Sequence, residues 1–401
     1  MIDEQIRREL HQLKSGIVDL YTEGDLSKKL ERFHQGGEPL IVKAGFDPTS
    51  SDIHLGHTVL MNKMRQFQDF GHRVVYVVGD ATAMIGDPTG RNKTRKVLTR
   101  DEILENAKTY ATQAFKILDP QKTQMVFNSS WLFKLDFLKM IDLASKYNVA
   151  RMLEREDFKS RFKSGDSIAL HEFIYPLAQG YDSVALKADV ELGGTDQIFN
   201  LLVGRKLQAD YGQEPQVVMT VPLLVGLDGV QKMSKSYNNY IGVTEPPDSM
   251  FAKVMSISDD LMWNYYELLT TISADEIAAM KSGIANGTVH PRDCKVRLAF
   301  FITARFHGED AAKEAKENFY REIPSNLAEY PVALPDDGMF LVDLIVQIGF
   351  TESKSEARRM IQQGGVYIDG QKISDVALRI TSKESFALKV GKKKIGKVIV
   401  S

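Results

Sequence analysis

Two short segments of this 401-residue chain carry residue types that bind phosphate. His54-Leu55-Gly56-His57 sets two imidazoles three positions apart around a glycine. At a helix start those imidazoles share one face, and Gly56, without a side chain, lets a sugar or base come close to the backbone. The positive end of the helix adds attraction for an anion. Far downstream, Lys232-Met233-Ser234-Lys235-Ser236 puts two ammonium groups and two hydroxyls on a polar loop after Gly226-Leu227-Asp228-Gly229. The glycines allow such a loop to close its lysines on a triphosphate and then release them. A third basic group, Arg91, Lys93, Arg95 and Lys96, follows the turn Gly86-Asp87-Pro88-Thr89-Gly90. Cations there would stabilise charge on a departing pyrophosphate, although a solvated charged loop has the same composition. A nucleotide triphosphate pinched between two distant loops would use all these groups.

The elements that must position them follow from hydrophobic pattern. Residues 1–38 read as charged and mostly helical. Leu40-Ile41-Val42 begins a short buried strand that runs into Gly45-Phe46-Asp47-Pro48-Thr49. A helix is predicted over about 54–70, then a strand in Arg73-Val74-Val75-Tyr76-Val77-Val78-Gly79-Asp80, whose continuous apolar run suits a parallel strand buried on both faces. Strand, helix and strand in this order make a βαβ unit, with ligand expected at the strands' C-terminal ends. Helices are predicted over 100–118, 134–163 and 173–186, with strands near 190–192 and 216–219. From 247 to 320 the pattern is helical. Residues 320–337 hold Pro324, Pro331 and Pro335 and read as a linker, after which an amphipathic helix restarts at 340–348.

Composition sets limits. The chain is too long for one ordinary core, and its 43% hydrophobic and 26% charged residues are those of a globular protein. No apolar run reaches the roughly 18–20 residues of a membrane span. The polar, acid-bearing first residues resemble neither a secretory signal nor a transit peptide. Cys294 is the single cysteine, which fits a reducing cytosol and a half-buried inert thiol. The net charge of −2 is uneven: residues 338–401 carry eleven lysines and arginines against six acids. A basic tail on an acidic body suits a polyanionic partner, as it would a plain solvated lysine face.

The chain resembles the class I aminoacyl-tRNA synthetases, and among them the bacterial-type tyrosyl-tRNA synthetases. His54-Leu55-Gly56-His57 matches the first signature of that class, and Lys232-Met233-Ser234-Lys235-Ser236 is identical to the second. The likeness covers about residues 38–401 and includes Gly45-Phe46-Asp47-Pro48-Thr49, Gly86-Asp87-Pro88 and Gly193-Gly194-Thr195-Asp196-Gln197. It implies an α/β architecture: a Rossmann-like parallel-sheet catalytic domain over 1–229 with a helical, dimer-forming insertion at about 125–165. A helical tRNA-contacting domain over 230–320 would follow, then a linker at 321–337. A small α+β RNA-binding domain, of the type named after the fourth protein of the small ribosomal subunit, would occupy 338–401. The implied activity joins L-tyrosine to ATP, giving tyrosyl-adenylate and pyrophosphate, and passes the tyrosyl group to the 3′ end of tRNA(Tyr). Magnesium would travel with ATP, since no dedicated metal cage is visible.

Roles for individual residues follow from the resemblance. Thr49, His54, His57, Lys232, Lys235, Ser236, Arg91 and Arg95 would act in catalysis by positioning ATP and stabilising negative charge. Tyr175, Gln179 and Asp182 stand at positions i, i+4 and i+7 of one helix and so share a face. Tyr175, Gln179 and Asp87 would hold the substrate ammonium, and Asp182 would accept a hydrogen bond from the phenol. Gly45, counted with the tyrosine-binding residues, would line the phosphate path after the first strand together with Asp47 and Thr49, and Gln197 would face the tyrosine carboxylate or α-phosphate. Asp47, Gly56, Gly194, Asp196 and Lys235 would meet ATP, with the Asp196 carboxylate on the ribose. Lys354, Arg358 and Arg359 would track an RNA backbone, and Asp369-Gly370 would turn a hairpin. One position departs from the family pattern. Lys43 stands where many members have a second tyrosine on the phenol, and it is left to pair with Asp182, to point elsewhere or to touch the phenol. That exchange keeps a tryptophan-activating sister enzyme open as an alternative, alongside an adenylyltransferase that never meets tRNA.

Overall fold

The computed structural model describes residues 2–48, 52–88, 99–321, 327–335, 338–381, 385–391 and 394–400. Thr49, Arg91 and Arg95 lie outside the described residues. Contacts divide the chain into two units. One comprises Met1–Glu245 with Ile257–Leu298, and the other Pro246–Ser256 with Ala299–Ser401. The boundary expected at 229/230 is therefore displaced: the second signature loop and residues 257–298 go with the first unit.

The first unit is built on six strands: β1 (Asp19–Tyr21), β2 (Ile41–Phe46), β3 (Arg73–Val78), β4 (Thr123–Phe127), β5 (Val190–Gly194) and β6 (Val217–Val221), in the order β1-β6-β5-β2-β3-β4. β2 through β6 run parallel, and β1 joins β6 antiparallel at one edge. β3 is buried along almost its whole length, as its apolar run predicts, but it ends at Val78, and Asp80 opens the short helix Asp80–Ile85. The chain leaves β2 toward β3 on one side, and β5 lies on the other. That reversal is a topological switch point, where the C-terminal ends of β2 and β5 part to leave a crevice.

The helix Leu55–Asp69 crosses between β2 and β3 and buries Leu55, Val59, Met64 and Phe67 at helical spacing. Each such side chain contributes roughly 1.5–3 kcal/mol by leaving water. The helix stops where Gly71 takes φ +91°, a left-handed conformation that suits glycine. The helix Leu170–Leu186 buries Tyr175, Leu177, Ala178 and Asp182 and contains Pro176. The segment expected to be helical over 134–163 is broken into Phe137–Ser145, Val149–Met152 and Glu156–Ser164. The 125–165 insertion also begins within β4, so its first residues belong to the sheet.

The second unit carries the helices Pro247–Met255 and Glu309–Arg321 and a five-stranded sheet. After β7 (Glu329–Val332) come β8 (Met339–Phe340), β9 (Val366–Ile368), β10 (Gln371–Lys372), β11 (Arg379–Ile380), β12 (Phe386–Val390) and β13 (Lys394–Val400). The five strands run β10-β9-β12-β13-β7, while β8 and β11 pair separately. β7 corrects the linker expected at 321–337, because it pairs in parallel with β13 at the sheet edge. Pro331 sits in β7, and an edge strand tolerates a residue with no N–H to give. Asp369 and Gly370 take φ +48° and +81° between β9 and β10, the turn expected of a tight hairpin. Leu341, Leu344, Ile345, Ile361, Leu388 and Val398 form the core of this part.

Candidate active site

The two phosphate-binding segments meet. The Leu55 N–H donates to the Ile241 carbonyl at 2.9 Å and the Val243 N–H to the Ile53 carbonyl at 2.9 Å. His54 and Gly242 therefore form an antiparallel bridge, and the chain just after the second signature is tied to the start of the first. Met233 is buried and its N–H donates to Leu224 C=O at 2.7 Å. A Cβ on Gly56 would lie 3.0 Å from His54 Nδ1 and 3.5 Å from Met233 Cβ, so the missing side chain keeps that approach open.

A cleft of about 500 Å³ opens at the switch point. Gly45 and Asp47 enter it from the end of β2, Gly194, Asp196 and Gln197 from the end of β5, and Tyr175, Gln179 and Asp182 from the Leu170–Leu186 helix. His54, Gly56 and His57 line it as well, as do Lys232, Lys235, Ser236 and Asp87. Every described residue expected in catalysis, tyrosine binding or ATP binding thus lines a single cleft.

One end of this cleft is buried and densely hydrogen bonded. The Tyr175 hydroxyl donates to Asp47 Oδ2 at 2.9 Å, and Thr82 Oγ1 donates to Asp47 Oδ1 at 2.8 Å. Asp87 accepts from Arg155 at 2.9 Å and from Gln197 Nε2 at 2.9 Å. Asp182 accepts from Trp131 Nε1 at 2.8 Å and from Asn128 Nδ2 at 3.4 Å. Burial pushes its carboxyl up to about 7, against the Lys43 charge and both hydrogen bonds. Lys43 itself is buried and pairs with Glu191 at 2.8 Å. Of the placements left open for it, an ion pair with Asp182 is not the one observed.

The other end is wetter. Lys232 pairs with Asp196 at 2.6 Å and Lys235 with Asp52 at 3.2 Å, and all four side chains are partly exposed. The expected ribose-binding carboxylate thus already holds one of the signature lysines. Between the two ends, the His54 and His57 rings stand 3.9 Å apart. Burial, with the nearby Lys235 charge, holds His57 down to about 4. His54 is held well below its ordinary value by burial first, then by the charges of His57 and Lys235. Both imidazoles are therefore neutral near pH 7. His57 Nδ1 accepts the His54 backbone N–H at 3.2 Å, which leaves the His57 proton on Nε2 as a donor. His54 Nδ1 is buried with no hydrogen-bond partner among the described residues.

Several supporting residues give no sequence signal by spacing. Arg155, almost fully buried, reaches Asp87 from the insertion and also Asn200 at 3.2 Å. Asn128 and Trp131, just beyond β4, reach Asp182. Asn239, the third residue after Ser236, accepts the Ser234 N–H at 2.8 Å and donates to Asp228 at 2.7 Å and to the Lys232 carbonyl at 3.1 Å. A side chain at Gly226 would collide with Asn239. Cys294 is fully buried rather than half-buried, and burial raises its thiol. Among the described residues no group of three or more His, Cys, Asp or Glu is placed to hold a metal ion, and no helix is long and apolar enough to cross a membrane. In the second unit, Lys354, Arg358 and Arg359 are exposed on the helix Lys354–Gln362, with Lys354 2.8 Å from Asp343.

The family model for class I tRNA synthetases (W and Y) matches residues 35–322. That for the Tyrosine--tRNA ligase SYY-like C-terminal domain matches residues 317–395. The chain is 54% identical to the tyrosine--tRNA ligase of Geobacter sulfurreducens, over 96% of this chain and 97% of the relative. It is 54% identical to that of Aquifex aeolicus, over 98% of each. Among solved structures, tyrosyl-tRNA synthetase from Archaeoglobus fulgidus, complexed with L-tyrosine, superposes with a TM-score of 0.63 at 23% identity, over 78% of this chain and 99% of that one. A C-terminally truncated mitochondrial tyrosyl-tRNA synthetase from Coccidioides posadasii gives 0.62 at 20% identity, over 79% and 96%. At those identities the structural likeness carries the fold alone.

Proposed function

The chain belongs to the tyrosine--tRNA ligase family of class I aminoacyl-tRNA synthetases, and from that premise we propose how its residues divide the work. The enzyme joins L-tyrosine to ATP, releasing pyrophosphate, and transfers the tyrosyl group to tRNA. The tyrosine carboxylate attacks the α-phosphorus in line, so no covalent enzyme intermediate is required. The protein contributes placement and stabilisation of charge on the pentacoordinate phosphorus and the leaving group.

Asp182 receives the phenol, and Asp87, Tyr175 and Gln179 receive the ammonium. Gln197 sits beside Asp87 for the carboxylate, with Gly45 giving room at the end of β2. On the nucleotide, Asp47, Gly56, Gly194 and Asp196 meet adenosine. His54 and His57 act as neutral donors rather than cations, and Lys232, Lys235 and Ser236 approach the phosphates from the second signature loop. Thr49, Arg91 and Arg95 complete the phosphate path. ATP enters as its magnesium complex. The observation that carries this reading is the backbone bridge that ties residues 53–55 to 241–243 beside both signatures.

Lys354, Arg358 and Arg359 lie exposed on one short helix and would engage the tRNA backbone. The homodimer is supported by apolar residues of the insertion that remain open to water, among them Phe137 at 78% and Leu138 at 75% exposure. The lone buried Cys294 is compatible with a cytosolic setting. Amino-acid-dependent exchange of labelled pyrophosphate into ATP tests the substrate. Exchange with tyrosine, and not with phenylalanine or tryptophan, is expected; exchange driven best by another amino acid would overturn the assignment.

A further inference from the structure

We propose that Arg155 is a positioning residue for the amino-acid head of the substrate. From the insertion it aims Asp87 directly and Gln197 through Asn200, and so sets an acceptor for the ammonium beside an N–H for the carboxylate. This deepens the reading of Asp87 and Gln197 as the residues that meet those two groups, and rests on it.

Four side chains close a ring. Arg155 Nη2 donates to Asp87 Oδ1 at 2.9 Å, and Arg155 Nη1 donates to Asn200 Oδ1 at 3.2 Å. Asn200 Nδ2 donates to Gln197 Oε1 at 2.9 Å, and Gln197 Nε2 donates to Asp87 Oδ2 at 2.9 Å. Both carboxylate oxygens of Asp87 are thus held, each by an arm that begins at the same guanidinium. A guanidinium only donates and a carboxylate only accepts, whereas a primary amide can turn either way. With Arg155 at one corner and Asp87 at another, a single orientation of Asn200 and Gln197 satisfies every bond. The bonds then run head to tail, the arrangement in which they reinforce one another. An amide carries two N–H groups. Gln197 gives one to Asp87, and the other is left for a ligand in the cleft that both residues line.

The guanidinium is itself fixed. Arg155 is 4% exposed and stands at the start of the helix Glu156–Ser164. Its Nε lies 2.8 Å from Asp157 Oδ1, and its central carbon stands 5.1 Å from the centre of the Phe158 ring. Phe158 in turn is buried edge-on against Phe173 of the Leu170–Leu186 helix. Acceptors in three directions suit the planar fork of an arginine and not the single point of a lysine. Stability alone does not call for it, since burying a charge costs about what its partners return. Nor does this charge work against the substrate ammonium. Asp87 and Asp157 stand about one guanidinium, which leaves one negative charge over. Arg161, the other cation near Asp157, is matched by Glu172 at 2.6 Å.

The test uses three inhibitors of tyrosine-dependent pyrophosphate exchange by the full chain. Tyramine has the ammonium alone, desaminotyrosine has the carboxylate alone, and p-cresol has neither. In Arg155→Met, tyramine and desaminotyrosine both weaken about 10-fold or more, the scale of a lost charge-assisted hydrogen bond, and p-cresol does not change. Asn200→Asp keeps an acceptor for Arg155 but has no N–H to give Gln197. There desaminotyrosine weakens about 10-fold and tyramine holds its wild-type value. Arg155→Lys, with the charge but not the fork, falls between Arg155→Met and wild type for both charged inhibitors. If Arg155→Met does not fold, Asn200→Asp and Arg155→Lys carry the test. Wild-type inhibition by desaminotyrosine in Asn200→Asp overturns the inference. So does an equal loss of all three inhibitors in Arg155→Met, the mark of a residue that only holds the fold. Asp87→Asn separates the two readings. If it weakens tyramine while the Arg155 and Asn200 variants behave as wild type, only the Arg155 inference fails. If it leaves tyramine unchanged, the ammonium reading of Asp87 fails, and this inference with it.

Discussion

The two ends of the cleft are built on opposite principles. At the end proposed for tyrosine, Asp87 and Asp182 are each held by two side-chain donors before any substrate arrives. At the end proposed for phosphate, Lys232 and Lys235 each rest on one partly exposed acid. Fixed acceptors suit recognition, because a phenol or ammonium then finds its partner without reorganisation. Cations on replaceable partners suit a step in which charge appears and leaves, because a triphosphate can draw each lysine away from its acid. The backbone beneath the lysines is not loose: Asn239, Asp228 and the Met233 N–H hold it.

The sharpest way to break this contrast is Lys235→Ala. It should slow adenylate formation about 100-fold, the scale of one donor aimed at developing charge, with tyrosine affinity unchanged in a binding titration. His54→Ala should behave in the same direction. Asp182→Asn should act on the other end only, lowering tyrosine kcat/KM about 10- to 100-fold through KM, as expected for losing a charge-assisted hydrogen bond. Asn239→Ala loosens the loop without touching substrate. A loss of about 1 kcal/mol predicts roughly a fivefold rise in the ATP KM and little change for tyrosine. In folding stability, as distinct from rate, the smallest expected effect at neutral pH is that of His57→Gln. Between about pH 4 and 6.5 the folded wild type binds fewer protons at His57 than the unfolded chain does, so this group's stability contribution is lost as pH falls through that window. Asp182, pushed up to about 7, works in the opposite sense. Denaturant curves at pH 8, 6 and 4.5 should therefore show His57→Gln closing on, or passing, the wild type only on acidification.

How much of this was readable beforehand depended on locality. The βαβ start, the i, i+4, i+7 face of Tyr175, Gln179 and Asp182, and both signatures are short-range patterns, and each is where its spacing puts it. β4 and β7 escaped because both are edge strands. β4 is nowhere fully buried, and β7 carries Pro331 among three prolines that read as a linker. β1, three residues long, owes its existence to pairing with β6 some 200 positions away. The residues that orient the site, Asn128, Trp131, Arg155 and Asn239, were illegible for the same reason: each is defined by a partner distant in sequence or by a turn no periodicity marks. Lys43 stood out as a charge in an apolar strand, but its partner could be found only from the β2–β5 register.

One measurement reaches the centre of the matter: single-turnover formation of tyrosyl-adenylate against tyrosine concentration, in wild type, Asp182→Asn and Lys235→Ala. A fixed pocket beside replaceable cations predicts a raised half-saturation with a near-normal limiting rate in the first variant. It predicts a normal half-saturation with a limiting rate reduced about 100-fold in the second. If both substitutions moved half-saturation and limiting rate together, the two ends would not be doing separate work, and that division would be wrong.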